Sequence, residues 1–434
     1  MTTIEITDDA SFKSAAVRVC GNAAGSAADA DMERKLESVR AIVNAVRTRG
    51  DEAVAEFTAQ FDGVTLKPEQ FELSAGEIDD AVATVDPSLV SILERAHANI
   101  RSFHGKSLRE SWEETSEDGT VLGQRITPIE RAGVYVPGGK AFYPSSVLMN
   151  IVPASVAGVQ EIVMVSPPSY EDSIHPVVLA AARLAGATRV FRVGGAQAIA
   201  ALAYGTERIP AVLKITGPGN VYVALAKRLV SAVCDIDTEA GPSEVVVVAD
   251  AKANPRFVAA ELLAQAEHDE DARSILVTHS RELAARARKE LERQAAALPR
   301  KEIIEKSLSG QGMIIIVRSL QEAARITDLI APEHLSIQTE YPRKFFDMIR
   351  NAGAAMLGGM TSVAVGDYYA GPNHILPTGR RARFASPLTA EDFRKVTSII
   401  SYSHQRLLKE ADDIVRFARA EQLTAHANAV EMRK

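Results

Sequence analysis

The 434-residue chain has only two cysteines and one tryptophan, and aromatic residues make up 5% of it. Cys20 and Cys234 cannot build a disulfide framework or a cysteine-rich zinc site. There is no basic block: 49 Lys+Arg stand against 56 Asp+Glu, a net charge of −7, which removes the electrostatic footprint of nucleic-acid binding. No apolar run approaches the ~18 residues expected of a membrane span. The opening stretch MTTIEITDDASFK lacks the basic and apolar regions of a signal peptide. What remains is ordinary globular material, 46% hydrophobic and 24% charged, long enough for roughly two or three domains. These values describe a cytoplasmic, multidomain protein with no nucleic-acid or membrane partner.

The first ~110 residues read as helices. Leu36, Val39, Val43 and Val46 recur at helical spacing, and Gly50 is placed to end that helix. Ser74 and Glu77 form a capping box, and a third helix spans about 88–103. From about residue 131, nine short apolar runs alternate with amphipathic stretches. Runs such as EIVMV, EVVVVA and GMIIIV predict strands buried on both faces of parallel sheets. A break near 240–244 divides them into two α/β units in series. The last ~45 residues read as helix and loop, without a strand, and need something to pack against.

Loops at the carboxyl ends of parallel strands are the usual ligand sites of α/β proteins. Three glycine-rich turns are expected there: Val136–Gly139, Val193–Gln197 and Thr216–Asn220. Glycine permits close backbone approach, and a helix N-terminus attracts phosphate. None is a dinucleotide or Walker fingerprint, and each taken alone is equally an ordinary tight turn. Gln265 and His268, three apart on a predicted helix, form a workable metal pair. Glu333 and His334 sit at a helix-to-strand junction and suit general-base and water-activating work. A predicted loop, Gly366–His374, adds Asp367 and His374, and the tail offers Glu421 and His426. The remaining histidines, His97, His104, His175, His279 and His404, read as surface or ordinary helix-face residues. Trp112 reads as cover for the edge of the core.

Taken together, these segments resemble the histidinol dehydrogenase family over essentially the whole chain. The matching stretches are Tyr135–Gly139, Pro144–Met149, Gly194–Gln197, Gly217–Asn220, Ala240–Glu244, Leu263–Asp269, Ala331–Leu335, Gly371–His374 with Leu376–Thr378, and Leu423–His426. The resemblance implies a zinc- and NAD-dependent enzyme that oxidises L-histidinol to L-histidine through bound L-histidinal, using two NAD⁺. Gln265, His268, Asp367 and His426 match the family's zinc ligands, one zinc ion per subunit, a nitrogen and oxygen set suited to zinc. His334 matches the general base and Glu333 the residue that activates water. Ser243, His374 and Glu421 match substrate contacts, and Tyr135, Gln197 and Asn220 match NAD contacts.

The implied architecture is two Rossmann-like domains with small helical segments at each terminus, in an intertwined homodimer. The expected division is an arm at 1–30, a first α/β domain at 31–134 plus 243–386, an NAD-binding α/β domain at 135–242, and a tail at 387–434. That tail, carrying Glu421 and His426, is expected to complete the partner's site. Three positions depart from the commoner pattern: Thr238-Glu239, Gln422 where glycine is frequent, and Arg380-Arg381 after the Leu376–Gly379 turn. Those arginines keep open a related dehydrogenase acting on a sulfonated or otherwise anionic diol. A non-catalytic, two-lobed metabolite-binding protein is the alternative of another class. It would have no need of an adjacent Glu333-His334 pair beside four metal donors.

Overall fold

The structure is a computed structural model and describes residues 1–20, 26–138, 142–238 and 241–434. Gly139 of the first glycine turn, Glu239, Ala240 and part of the expected arm lie outside the described residues. The strands, in chain order, are β1 (Thr2–Glu5), β2 (Trp112–Thr115), β3 (Val121–Pro128), β4 (Arg131–Tyr135), β5 (Glu161–Val165), β6 (Arg189–Phe191) and β7 (Lys214–Thr216). There follow β8 (Asp235–Ile236), β9 (Glu244–Ala249), β10 (Arg273–Thr278), β11 (Met313–Ile316), β12 (His334–Gln338), β13 (Ala354–Leu357) and β14 (Arg394–Ser401). All nine apolar runs are strands.

Two parallel sheets carry the molecule. The first runs β6-β5-β4-β7-β8 and the second β1-β11-β10-β9-β12-β13. Apart from β1 at its edge, the second repeats the order of the first, third-second-first-fourth-fifth, the arrangement of a Rossmann half. Burial on both faces explains the unbroken apolar strands. In β9, Val245 and Val247 enter one core and Val246 and Val248 the other, each buried valine contributing about 1.5 kcal/mol or more.

The packing divides differently from the 31–134 plus 243–386 and 135–242 segments expected. β4 lies inside the first sheet, and the helices between residues 26 and 105 cover that sheet rather than the second. Val39, Val43 and Val46 of helix Ser26–Arg49 pack with Val163, Ile199 and Leu202. Ile100 of helix Pro87–Gly105 packs with Leu148 and Val152. The arm is also not separate, since β1 pairs in parallel with β11, Thr2 opposite Met313. Helical periodicity identifies which face is apolar but not which sheet receives it.

A third sheet, β14-β3-β2, is antiparallel, so the tail does contain a strand. β14 pairs along its full length with β3, from Arg394 opposite Pro128 to Ser401 opposite Val121. It escapes a pattern reading because most of its residues are exposed, Ile400 at 72%. Trp112 begins β2, half exposed, with Nε1 donating to Gln124 Oε1 at 3.4 Å, and so does not cover a core. Beyond β14, helices His404–Ala420 and Thr424–Glu431 pack on each other. The turn between them places Gln422 at φ 63°, and Phe417 is 71% exposed.

Candidate active site

The chemistry-bearing residues of the second lobe gather at the amino edge of its sheet, not at the carboxyl ends. Glu244 opens β9, His334 opens β12, and the two strands are neighbours with His334 opposite Val245. This adjacency places Glu333 Oε2 to accept the backbone N–H of Glu244 at 2.8 Å. The His334 ring is buried beside them, with Nδ1 3.4 Å from the Glu244 carbonyl and 3.6 Å from Glu333 Oε2. A carbonyl only accepts, so the Nδ1 proton is the one donated. In the neutral ring the Nε2 lone pair is then left 3.3 Å from Asp367 Oδ1. Burial works to lower the basicity of this imidazole, but the charges of Glu333 and Asp367 outweigh it and push the pKa up to about 10.

The helices feeding this edge supply the rest. Helix Pro255–Ala266 ends before His268, so Gln265 and His268 do not share a helix face as expected. Glu267 caps the helix, and the His268 N–H donates to the Gln265 carbonyl at 3.2 Å in the closing turn. Gln265 is buried and His268 exposed. Asp367 lies in a short helix, Val363–Tyr368, rather than a loop. Buried Glu261 anchors that helix, its Oε2 accepting the Val363 N–H at 2.9 Å. Burial tends to raise the Asp367 pKa, but His334, then His374 and His268, hold it below the ordinary carboxylate range. Among the described residues, no group of three or more His, Cys, Asp or Glu side chains is arranged to hold a metal.

His374 bridges the lobes. Its Nδ1 donates to the Asp367 carbonyl at 2.9 Å, and Nε2 lies 3.5 Å from Ser146 Oγ on helix Pro144–Ala157. Burial lowers its pKa, which favours the neutral ring. Asn373 fixes the same loop by donating from Nδ2 to the Met149 carbonyl at 2.7 Å. Ser243 is half-buried just before β9. Glu421 and His426 are exposed on the tail, and among the described residues no hydrogen bond or ion pair joins their side chains to this cluster.

In the first lobe the three glycine turns do lie at carboxyl ends, after β4, β6 and β7. Tyr135 closes β4, its Oη accepting the Gly195 N–H at 3.2 Å. Gln197 is fully buried, yet neither its amide oxygen nor its nitrogen has a hydrogen-bond partner among the described residues. An orphaned buried amide is costly unless a ligand satisfies it. Asn220 caps helix Val221–Val230, with Oδ1 accepting from the N–H groups of Tyr222 and Val223 at 3.0 and 3.2 Å. At Gly217, φ 114°, an added Cβ would collide with the Tyr135 carbonyl, so two glycine-turn segments approach closely only because no side chain intervenes.

The family model described as histidinol dehydrogenase matches residues 26–434. The histidinol dehydrogenase of Heliobacterium mobile is 51% identical over 395 residues, covering 91% of this chain and 92% of that protein. That of Aquifex aeolicus is 52% identical over 402 residues, 93% of each. The crystal structure of histidinol dehydrogenase from Elizabethkingia anophelis superposes with a TM-score of 0.92 at 34% identity, covering 100% of this chain and 98% of that one. The chain belongs to the histidinol dehydrogenase family. Its activity is the oxidation of histidinol in histidine biosynthesis. Among the described residues, no helix is long and apolar enough to cross a membrane.

Several residues that shape this histidinol dehydrogenase site have no role that the sequence reading assigns. Glu244 matters only because β9 and β12 are adjacent, which no local pattern reveals. Burial pushes its pKa up to about 7, against the pull of Arg273. Beneath the third glycine turn, Lys227 and Asp237 form a buried ion pair, and Lys227 Nζ also donates to the Gly217 carbonyl at 3.1 Å. Asp237 Oδ2 accepts the Gly217 N–H at 2.7 Å, so the turn is held from both sides. A lysine ten residues before an aspartate in the tail end of a helix pattern gives no hint of this. His104, expected on an ordinary helix face, is buried with neither ring nitrogen partnered among the described residues. His175 caps helix Pro176–Ala185, its Nδ1 accepting the Val177 N–H at 3.2 Å.

Proposed function

We propose that the Glu244–Glu333–His334–Asp367 cluster, completed by a partner's tail, oxidises L-histidinol to L-histidine in two hydride transfers, with two NAD⁺ consumed. The observation that carries this reading is the buried imidazole of His334, whose Nδ1 proton is fixed by the Glu244 carbonyl. That orientation leaves Nε2 as the proton-accepting atom. In the first step the substrate hydroxyl gives its proton to His334 Nε2 while the carbinol carbon loses hydride, leaving bound histidinal. In the second, Glu333 takes a proton from water as the oxygen attacks the aldehyde carbon. The resulting hydrate loses hydride and a further proton, leaving the carboxylate. Each step releases two electrons as hydride, four in all. The Glu244 N–H holds the Glu333 carboxylate in place for this.

Gln265, His268 and Asp367, with His426 of a second copy, are the donors we assign to zinc. The charge of Asp367 interacting with His268 and the burial of Gln265 fit an oxygen and nitrogen set. A zinc ion there would orient the imidazole and amine of histidinol and engage the Asp367 carboxylate that otherwise favours protonated His334. Ser243, His374 and Glu421 are assigned to substrate binding. Tyr135, Gln197 and Asn220 are assigned to NAD⁺, the hydride acceptor, because the orphaned Gln197 amide lies at a glycine turn. The exposed apolar side chains of β14 and the tail, Ile400 and Phe417 among them, support a dimer in which each tail serves the other subunit. The test is the NADH formed per L-histidinol consumed, with and without a zinc chelator. Two equivalents, lost on chelation, are expected; no NADH from histidinol overturns the reading.

A further inference from the structure

The turn that follows the substrate-facing loop ends in a segment with no part in the chemistry above. Gly379 and Arg380 both have positive φ, 58° and 67°. A non-glycine residue held in the left-handed region costs on the order of 1 kcal/mol or more, and such strain marks positions kept for their side chain. The Arg380 guanidinium reaches the helix Asp9–Cys20, where Nη1 donates to the Cys20 carbonyl at 3.0 Å. Its Nε is buried and has no hydrogen-bond partner among the described residues. The segment is anchored rather than loose. The Gly379 N–H donates to Glu244 Oε1 at 3.1 Å, and Thr378 Oγ1 accepts the Gly241 N–H at 2.6 Å.

Arg380 lines a cavity of about 520 Å³ together with Arg325 and Arg383. Asp328 is the one acidic group in that lining. Its Oδ1 already accepts the N–H groups of Arg350 and Asn351 at 2.8 and 3.0 Å. Asp9 and Glu322, two further carboxylates near Arg325, are both paired with Arg318. Arg273, half-buried and 4.0 Å from Glu244, also feels the charge of Arg380. Positive charge therefore exceeds negative at this place, in a chain whose net charge is −7. One wall is apolar: the Arg325 guanidinium lies over the Phe12 ring at 4.4 Å, beside Leu329.

We propose that this cavity is a binding site for a phosphate-bearing small molecule, its phosphate held by Arg380, Arg325 and Arg383. Guanidinium forks match phosphate oxygens two at a time. The volume exceeds what a bare oxyanion fills, and the Phe12 and Leu329 wall accepts an organic portion. The site is separate from the histidinol cluster and does not depend on its assignment.

The test is calorimetric titration of the full chain with inorganic pyrophosphate and with 5′-AMP, each repeated on two variants so that the signal read is the one lost with Arg380 or Arg383. The variants are Arg380→Gly and Arg383→Ala. Arg380→Gly removes the guanidinium, and relief of the backbone offsets the lost bond to the Cys20 carbonyl; a thermal denaturation midpoint near the parent's shows that the variant is folded. The expected result is binding that weakens at least about tenfold in Arg380→Gly. AMP binding more tightly than pyrophosphate identifies a phosphorylated organic molecule, and equal affinity identifies the free ion. Absence of binding by both probes, or a dissociation constant unchanged in both variants, overturns the proposal.

Discussion

Glu333 Oε2 accepts the backbone N–H of Glu244 at 2.8 Å, a bond that joins the residue before β12 to the first residue of β9. The carboxylate is thereby held while its neighbour His334 packs against the same strand. Glu333→Gln keeps an acceptor for that N–H but loses the base. We expect kcat to fall about 10²- to 10⁴-fold with the histidinol KM changed only a few-fold. Steady-state kinetics would count against the assignment if kcat stayed near that of the parent.

The exposed positions of Glu421 and His426 lead to a test of shared sites. His334→Ala and His426→Ala should each be nearly inactive. In a mixed dimer with exchanged tails, one site carries both defects and the other carries none. Unfolding and refolding the two variants together should restore about a quarter of parental activity, from random pairing. No recovery, with dimers demonstrably mixed, would place His426 outside the site.

The nine core strands were legible because residues such as Val245 to Val248 are apolar on both faces, a pattern that only a covered parallel sheet needs. β14 was not legible, since Val396 and Ile400 are exposed and its hydrogen-bonding partner lies some 270 residues earlier. The Glu333-His334 pair was readable as chemistry, but not its support. Glu244 contributes through strand adjacency, and Glu261 through a bond to a helix about a hundred residues away. The lobe boundary was misplaced for a related reason. An amphipathic helix such as Ser26–Arg49 specifies an apolar face, while connectivity and shape decide which sheet it covers.

Gln422 occupies a left-handed turn, φ 63°, between the two tail helices. Relief of strain there gains about 1–2 kcal/mol, and the extra freedom of glycine in the unfolded chain takes back about 0.4–1 kcal/mol. Gln422→Gly should therefore be more stable by roughly 0.5–1 kcal/mol, seen as a small rise in denaturation midpoint. A lower midpoint would contradict this balance.

His104 is buried and its pKa is lowered to about 4, chiefly by burial. The unfolded imidazole titrates near 6.5, so between these values the unfolded chain binds the extra proton. The stabilisation is complete above about pH 6.5 and is lost as the pH falls towards 4, by at most about 3 kcal/mol. His104→Phe should flatten this part of the stability profile. Denaturation midpoints at pH 7 and pH 4.5 check it; an unchanged pH dependence would remove His104 as the cause.

The pairing of Thr2–Glu5 with Met313–Ile316 has a consequence for synthesis. This strand must wait about 310 residues for its neighbour to be translated. The sheet of the first lobe, which closes between residues 131 and 236, is complete about 80 residues before that. A short β-strand is thus left unpaired through most of elongation, roughly the last 80 residues of that wait beside a closed first sheet, open to pairing with a nascent neighbour on the same message.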